Sequence, residues 1–220
     1  MELVLAGGRA MVGRLGRANK EGERMAFAGM IASLILVAGC QSGAVVRKTG
    51  DSRPSRVDNT VADWPLRFVR HNFGAHCFDT VGCRITYSGF THGVDHVGKV
   101  SPPLSSYRGS REQILSAGHI ARKNFPPPVH VAWRSLDGVA HEAEVDIEAL
   151  FPDQLIAHNV AREDIREDVS ITDPDIILEV EDRTLSVYMR AFIPTKALQI
   201  PGNPYSGHRA ELVRVWSEMY

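Results

Sequence analysis

The sequence predicts a mainly β protein of the α+β class: an antiparallel β-sandwich or twisted sheet with one or two helices, in one domain. Two hairpin patterns and the composition favour this fold. The chain has 220 residues, of which 44% are hydrophobic, 7% aromatic and 23% charged, within the range of ordinary globular domains. Its 25 basic and 26 acidic side chains give a net charge of −1, which indicates no nucleic-acid partner.

The first hairpin pattern has two alternating runs on either side of Asp137-Gly138, a dipeptide typical of tight β-turns. The first run is Val129–Arg134, and the second extends from Val139 to Ile147. Trp133 shares the apolar face of the first run and is expected in the core, with an interface anchor as the alternative.

The other face of the returning run is acidic. Glu142, Glu144 and Asp146 alternate with less polar residues, so all three are expected on one face of a strand. A solvated surface is one interpretation, since an antiparallel sheet often has one wet face. The other is a docking patch for a basic partner, which makes these three residues candidate partner-binding residues.

The second hairpin pattern connects Asp175–Val180 to an alternating run over Thr184–Ile193. Period two places Tyr188 and Phe192 on the face opposite the more apolar one. These two aromatic side chains either meet a second layer or form an exposed aromatic patch, which would be a further candidate partner-binding surface. Pro194 ends the run because proline has no N–H to donate to a ladder.

Helical patterns are fewer and short. They cover residues 110–120, 148–158 and 209–220, and Gly118 limits the first. In the last segment an apolar stripe at helical spacing predicts a helix that docks on the sheet; it contains Leu212, Val215, Trp216 and Met219.

The N-terminal segment has the layout of a secretory signal. Five basic side chains precede an uncharged run from Met25 to Val37, which as a helix spans about 20 Å, short of the ~30 Å hydrocarbon core. The run ends in Leu36-Val37-Ala38-Gly39-Cys40, which resembles the lipobox of bacterial lipoproteins. The resemblance implies cleavage before Cys40 and acylation of its thiol, and Gln41 in place of an aspartate favours the outer membrane, facing the periplasm. A plain signal peptide, or an apolar helix with a chance cysteine, is the alternative.

The predicted organisation is a lipoprotein signal peptide at residues 1–39, a flexible tether at 40–62 and a β-rich domain at 63–220. The tether is rich in Ser, Gly, Arg and Asp and lacks aromatic residues, as flexible linkers do; an ordered N-terminal strand is the alternative. In an oxidising compartment Cys77 and Cys83 are expected to form a disulfide, which would stabilise the domain by roughly 2–2.5 kcal/mol. Two reduced thiols are the alternative.

Sequence motifs for catalysis or nucleotide binding are absent. The chain has no Gly-x-Ser-x-Gly elbow, Walker loop, dinucleotide-binding glycine pattern or His-Glu-x-x-His, so we expect neither enzyme activity nor a cofactor. His92 and His96 are four residues apart and would converge on zinc from a helix. Gly93 and Gly98 favour a loop there instead, so no metal is expected.

Two longer stretches carry a family resemblance. The first joins residues 124–128 (Asn-Phe-Pro-Pro-Pro) to 133–138, and the second joins 175–180 to 189–191. Together with the Cys77/Cys83 loop, they resemble Gram-negative lipoproteins whose genes lie beside type VI secretion lipase or phospholipase effectors. The resemblance implies a non-catalytic immunity protein that inhibits such an effector and is held at the membrane by its N-terminal lipid. A structural or assembly lipoprotein of the envelope or of a secretion machine is the alternative.

Overall fold

A computed structural model describes residues 59–92, 98–167 and 169–220, all of which belong to one compact unit. The predicted signal peptide, the lipidation residue Cys40, residues 41–58 of the tether and His96 lie outside these residues. The described part is a mainly β domain with two short helices, so the predicted fold class is confirmed.

The described residues form eleven strands and two α-helices of one turn each. In chain order the strands are β1 (Arg70–Phe78), β2 (Cys83–Tyr87), β3 (Phe90–His92), β4 (His119–Lys123), β5 (Val129–Arg134), β6 (Ala140–Val145), β7 (Asp175–Glu181), β8 (Thr184–Arg190), β9 (Ile193–Pro194), β10 (His208–Arg209) and β11 (Leu212–Met219). The helices are α1 (Arg111–Ile114) and α2 (Ile147–Leu150). Short 3-10 helices are Val61–Asp63, Leu104–Ser106 and Arg162–Asp164.

Two sheets carry most of the fold. The five-stranded sheet has the order β11-β8-β7-β1-β4, the four-stranded sheet has the order β3-β2-β5-β6, and β9 pairs with β10 in a small ribbon. Both predicted hairpins are present, as β5–β6 and β7–β8. One pair departs from the antiparallel pattern, because β1 and β7 are parallel. Parallel strands need a long connection. Here the connection from β1 to β7 contains β2 to β6, which include all four strands of the other sheet.

The two sheets enclose one hydrophobic core. The five-stranded sheet contributes Phe73, Ile176 and Leu178, among others, and the four-stranded sheet contributes Ile85 and Trp133. Trp133 is buried, as expected, and its indole N–H donates to the carbonyl oxygen of Asp182 at 2.7 Å.

A covalent and a polar link connect the sheets across this core. The predicted disulfide between Cys77 and Cys83 is present and joins β1 to β2. His71 of β1 is fully buried, with its Nε2 2.9 Å from the hydroxyl of Tyr87 on β2. Its Nδ1 lies 2.8 Å from the amide oxygen of Asn124. Both ring nitrogens therefore have partners, as burial of a polar ring requires.

Residues 102–118, called the strap below, cover the outer face of the five-stranded sheet over parts of β1, β7 and β8. Leu115 in the strap is fully buried against Phe78, Ile177 and Tyr188. The strap crosses directly over Gly74 of β1, where an added Cβ would lie 2.0 Å from the carbonyl oxygen of Ser116. Glycine is therefore required at this crossing for steric reasons.

The predicted helix over residues 209–220 is wrong, because this segment forms β11. Its ladder with β8 shifts register between Arg214 and Trp216, which marks a β-bulge at Val215. A bulge interrupts the two-residue alternation, so Val215 and Trp216 both pack against the core. The resulting apolar spacing imitates the period of a helix.

The other two helical predictions are too long. The segment 110–120 is helical only in α1, after which Leu115 turns into its buried position and the chain reaches β4. The segment 148–158 contains only α2, which ends at Leu150. Phe151 precedes Pro152, and a residue before proline is disfavoured in helical conformation.

Candidate binding surfaces

The outer face of the four-stranded sheet is the first candidate surface. Strand register aligns its side chains in two rows across β2, β5 and β6: Arg84, Ala132 and Glu142 in one, and Thr86, His130 and Glu144 in the other. These positions alternate with the buried ones along each strand. Within the described residues all six side chains are exposed or half-buried, and we call this set the uncovered face.

The structure brings two of the three predicted acidic residues together on the uncovered face. Glu142 and Glu144 are both exposed on β6, and Glu142 Oε1 lies 2.6 Å from His130 Nε2. A pair this exposed contributes little to stability. These side chains therefore remain available to another molecule at small energetic cost.

Asp146 has a different role, at the end of the same strand. Its Oδ1 accepts hydrogen bonds from the backbone N–H groups of Glu148 at 2.9 Å and Ala149 at 3.2 Å. This is the N-cap of α2, a position that aspartate favours. The carboxylate is exposed, yet its local contacts are those of a structural cap.

A shallow groove of about 700 Å³ crosses the uncovered face. The small residues Gly82, Ala132 and Ala140 form its floor, and the longer side chains of Arg84, Arg134 and Glu142 line its sides. The guanidinium of Arg134 donates to the carbonyl oxygen of Gly138 at 3.0 Å, which holds this side chain near the β5–β6 turn. The groove thus has an apolar floor and charged walls.

The two aromatic candidates separate in the structure. Tyr188 is 6% exposed and lies beneath the strap, so it meets a second layer. Phe192 is 47% exposed and its ring stacks on His208 with centroids 4.3 Å apart. β8 ends at Arg190, so Phe192 lies beyond the strand that carries Tyr188, although Ala191 and Ile193 on either side of it remain buried. Their part in partner binding stays a prediction.

A buried carboxylate beneath the strap was not singled out by the sequence reasoning. Glu179 is 1% exposed; its Oε2 accepts from the Tyr188 hydroxyl at 2.8 Å and from the guanidinium of Arg111. Arg111 also pairs with Glu181 at 3.0 Å. Among the described residues Glu179 Oε1 has no hydrogen-bond partner. Burial raises the pKa of Glu179, although Tyr188 and Arg111 oppose this shift, and burial likewise raises the pKa of Tyr188.

The signal for this cluster was visible in the sequence. Glu179 interrupts the apolar strand Ile176–Val180, and a carboxylate inside a buried strand needs a partner. Arg111 lies 68 residues earlier in the chain, so its identity as that partner could not be read from local spacing. The cluster ties α1 to the sheet, which makes its evident role the attachment of the strap.

Membrane and metal sites were also sought within residues 59–92, 98–167 and 169–220. No helix in these ranges is long and apolar enough to span a bilayer. They also contain no group of three or more His, Cys, Asp or Glu side chains placed to hold a metal ion. Comparison with family models, with curated proteins and with solved structures finds no match to this chain.

Proposed function

We propose that this protein is a periplasm-facing lipoprotein that binds another protein without catalysis, as an immunity protein against a type VI secretion lipase effector. The observation that carries the binding role is the uncovered face. The strap covers the outer face of the five-stranded sheet, whereas three strands of the other sheet present aligned polar side chains around an open groove.

Two features support the envelope location. The first is the run Leu36–Cys40 with its basic flank, whose resemblance to a lipobox implies acylation of Cys40. The second is the disulfide between Cys77 and Cys83, since disulfides persist in oxidising compartments such as the periplasm. A lipid anchor would hold the inhibitor at high local concentration on the surface that a lipase attacks.

Inhibition then needs a complementary surface over the mouth of the effector's active site. Nanomolar affinity corresponds to about −12 kcal/mol, and stable interfaces bury about 1,600 Å² in total. Glu142 and Glu144 would face basic residues of the effector, and the low floor around Ala132 would accept an apolar side chain. Buried contacts of this kind at the centre of an interface carry most of its binding energy.

The test uses the partner that this proposal expects, a lipase encoded by a neighbouring gene. We expect the full-length protein to co-purify with it and to abolish its lipase activity. The double variant Glu142→Lys/Glu144→Lys should weaken both effects by at least an order of magnitude. Glu163→Lys, an exposed charge reversal on another segment, is the matched control and should not. No binding at micromolar concentration, together with unchanged lipase activity, would overturn the proposal.

The anchor and the alternative role have their own measurements. Cys40→Ser should abolish incorporation of radiolabelled palmitate and release the protein from the membrane fraction. Unchanged labelling would exclude the lipidation site. Gene deletion separates an immunity protein, whose loss harms cells only when the toxin is active, from a structural lipoprotein, whose loss impairs the envelope or secretion by itself.

A further inference from the structure

The connection between β9 and β10 exposes several large apolar side chains. Leu198 is 46% exposed, Ile200 57% and Tyr205 85%, and the chain has no charged residue from 197 to 207. We call residues 197–207 the apolar loop. Phe192 adds a fourth exposed apolar side chain beside it, through its stacking on His208 of β10. Large exposed apolar side chains grouped in one uncharged loop are a candidate interaction surface.

Internal hydrogen bonds hold the apolar loop in one shape. Ser206 is buried, its hydroxyl accepts from Ile200 N–H at 3.0 Å, and its carbonyl oxygen accepts from Gln199 N–H at 2.9 Å. The amide of Gln199 also donates to the hydroxyl of Thr195 at 3.1 Å. The exposed side chains are therefore presented by an ordered backbone, so little further ordering is needed when they are buried.

The basic residues that flank the apolar loop have acidic partners. Lys196 Nζ lies 2.9 Å from Glu167 Oε1, and the guanidinium of Arg209 pairs with Glu211. The surface at the base of the loop is thus close to neutral. Contact with this loop would depend on apolar burial more than on charge, and would change little with salt.

The N-terminal end of the described domain and the base of the apolar loop attach to the same segment. Residues 162–171 include Ile171, whose N–H donates to the carbonyl oxygen of Asn59 at 2.8 Å. They also include Ile165, which bridges to Thr195 at the loop base. Val61 and Lys196 line the same depression of about 480 Å³. Asn59, the first described residue, therefore lies on the side of the domain where the loop begins.

We infer that the apolar loop lies against the lipid bilayer to which the chain is anchored, and so orients the domain on the membrane. This inference rests on the lipid anchor of the proposed function. Only residues 41–58 separate Cys40 from Asn59, and an extended chain of that length spans at most about 60 Å. Leu198 and Ile200 would enter the boundary between headgroups and acyl chains, about 5–10 Å deep. Tyr205 suits the same boundary, since its ring is apolar and its hydroxyl polar.

The contact can be weak and still orient the domain. The anchor makes it an intramolecular event at high effective concentration, so the loop need not bind a membrane by itself. Neutral flanks predict that zwitterionic lipid is sufficient. The alternative is that the loop binds in an apolar cleft of a protein, and the experiment below distinguishes this case from contact with lipid.

The test places a fluorescent probe on the loop of the full-length, lipidated protein in phosphatidylcholine vesicles. Tyr205→Trp adds emission at the loop, and Leu136→Trp adds it at an exposed turn whose backbone N–H binds Asp182. Asp182 lies in the turn that precedes β8, whereas the apolar loop follows the C-terminal end of β8. The two probes are therefore associated with opposite ends of this strand. Wild-type protein, with its three tryptophans, gives the baseline. Acyl-chain-brominated lipid should quench the added emission of Tyr205→Trp several-fold more than that of Leu136→Trp. Adding Ile200→Asp should remove the difference.

Each other outcome contradicts the inference in a separate way. If the protein floats with the vesicles and the added emission of neither variant is quenched, the loop does not touch lipid, and if both are quenched equally, the loop does not orient the domain; the anchor is unaffected in both cases. If lipid does not quench the Tyr205→Trp emission but acrylamide is also excluded from it, a second copy of this chain covers the loop instead. If the wild-type protein does not float with vesicles, the anchor of the proposed function fails, and the membrane contact fails with it.

Discussion

The two sheets differ in what happens to their outer faces. In β7 and β8 five consecutive residues of each strand are buried, so side chains on both faces are covered. In β5 and β6 buried residues alternate with more exposed ones. The first sheet is therefore the middle layer between the core and the strap, and the second keeps one face exposed or half-buried among the residues that the structure describes. The side chains of a strand are therefore constrained to be apolar or paired where another layer covers them, and not simply because they lie in a strand.

Polar residues show the same contrast. Beneath the strap Glu179 has Tyr188 and Arg111 as hydrogen-bond partners, since a buried charge without a partner would cost several kcal/mol. On the uncovered face Glu142 and Glu144 need no such partners, because water solvates them. This freedom is what allows the uncovered face to be shaped by a binding partner.

The largest expected effect comes from removing a side chain between sheet and strap. Ile177→Ala should lower the free energy of unfolding by about 3 kcal/mol, because it leaves a cavity among Phe78, Leu115 and Tyr188. Glu144→Ala also changes an outward position, but on the uncovered face, and should change stability by no more than about 0.5 kcal/mol. Denaturant unfolding of both variants measures the difference. Equal effects would show that the strap does not cover Ile177 as a packed layer.

A second variant tests the strap itself. Gly74→Ala should destabilise the protein by about 2 kcal/mol, because the new methyl group meets the backbone of Ser116 and the strap must shift. Gly118→Ala is the matched control, since no atom lies within 4 Å of its added Cβ. Hydrogen exchange should report faster exchange in residues 102–118 of Gly74→Ala. Unchanged exchange and stability would contradict the close crossing.

The two hairpins could be predicted from the sequence, because alternation and turn residues are short-range patterns. Gly138 has φ of +85° in the predicted Asp-Gly turn, and both hairpins formed where alternation indicated them. The parallel pairing of β1 with β7 joins residues such as Asn72 and Asp175, and no short-range spacing reports such a contact. The bulge at Val215 removes the alternation that identifies a strand, which is why the pattern over β11 predicts a helix.

The candidate surfaces could likewise be predicted only where they depend on strand alternation. Glu142 and Glu144 lie where period two placed them, and both are exposed. Asp146 keeps the alternation in sequence, but the strand ends at Val145 and its side chain caps α2. The apolar loop has no periodicity at all, and its significance comes from exposure and from hydrogen bonds around Ser206, which only the structure provides.

The smallest expected effect concerns the polar link between the sheets. Burial lowers the pKa of His71 below its ordinary value of 6.5, with Arg122 acting in the same direction and Asn124 and Asp173 opposing. The folded protein thus favours the neutral ring. Its contribution to stability is complete above pH 6.5 and is lost as the pH falls from there toward the lowered pKa, because the unfolded chain takes up the proton first.

The loss should have a slope of at most about 1.4 kcal/mol per pH unit. His71→Gln removes this titration, so its free energy of unfolding should be lower than that of wild type at pH 8 but should fall less steeply between pH values of about 6.5 and 5.5. Burial also lowers the pKa values of His92 and His158, and both residues remain in the two proteins, so their contributions cancel in the comparison. Parallel stability curves for wild type and variant would mean that His71 has the same pKa in the folded and unfolded chains, and a wild-type curve that falls less steeply than that of the variant would mean that folding raises it. In that second case the ring would be protonated in the folded protein, and its link to Tyr87 would be a charge-assisted hydrogen bond, stronger than the one the neutral ring provides.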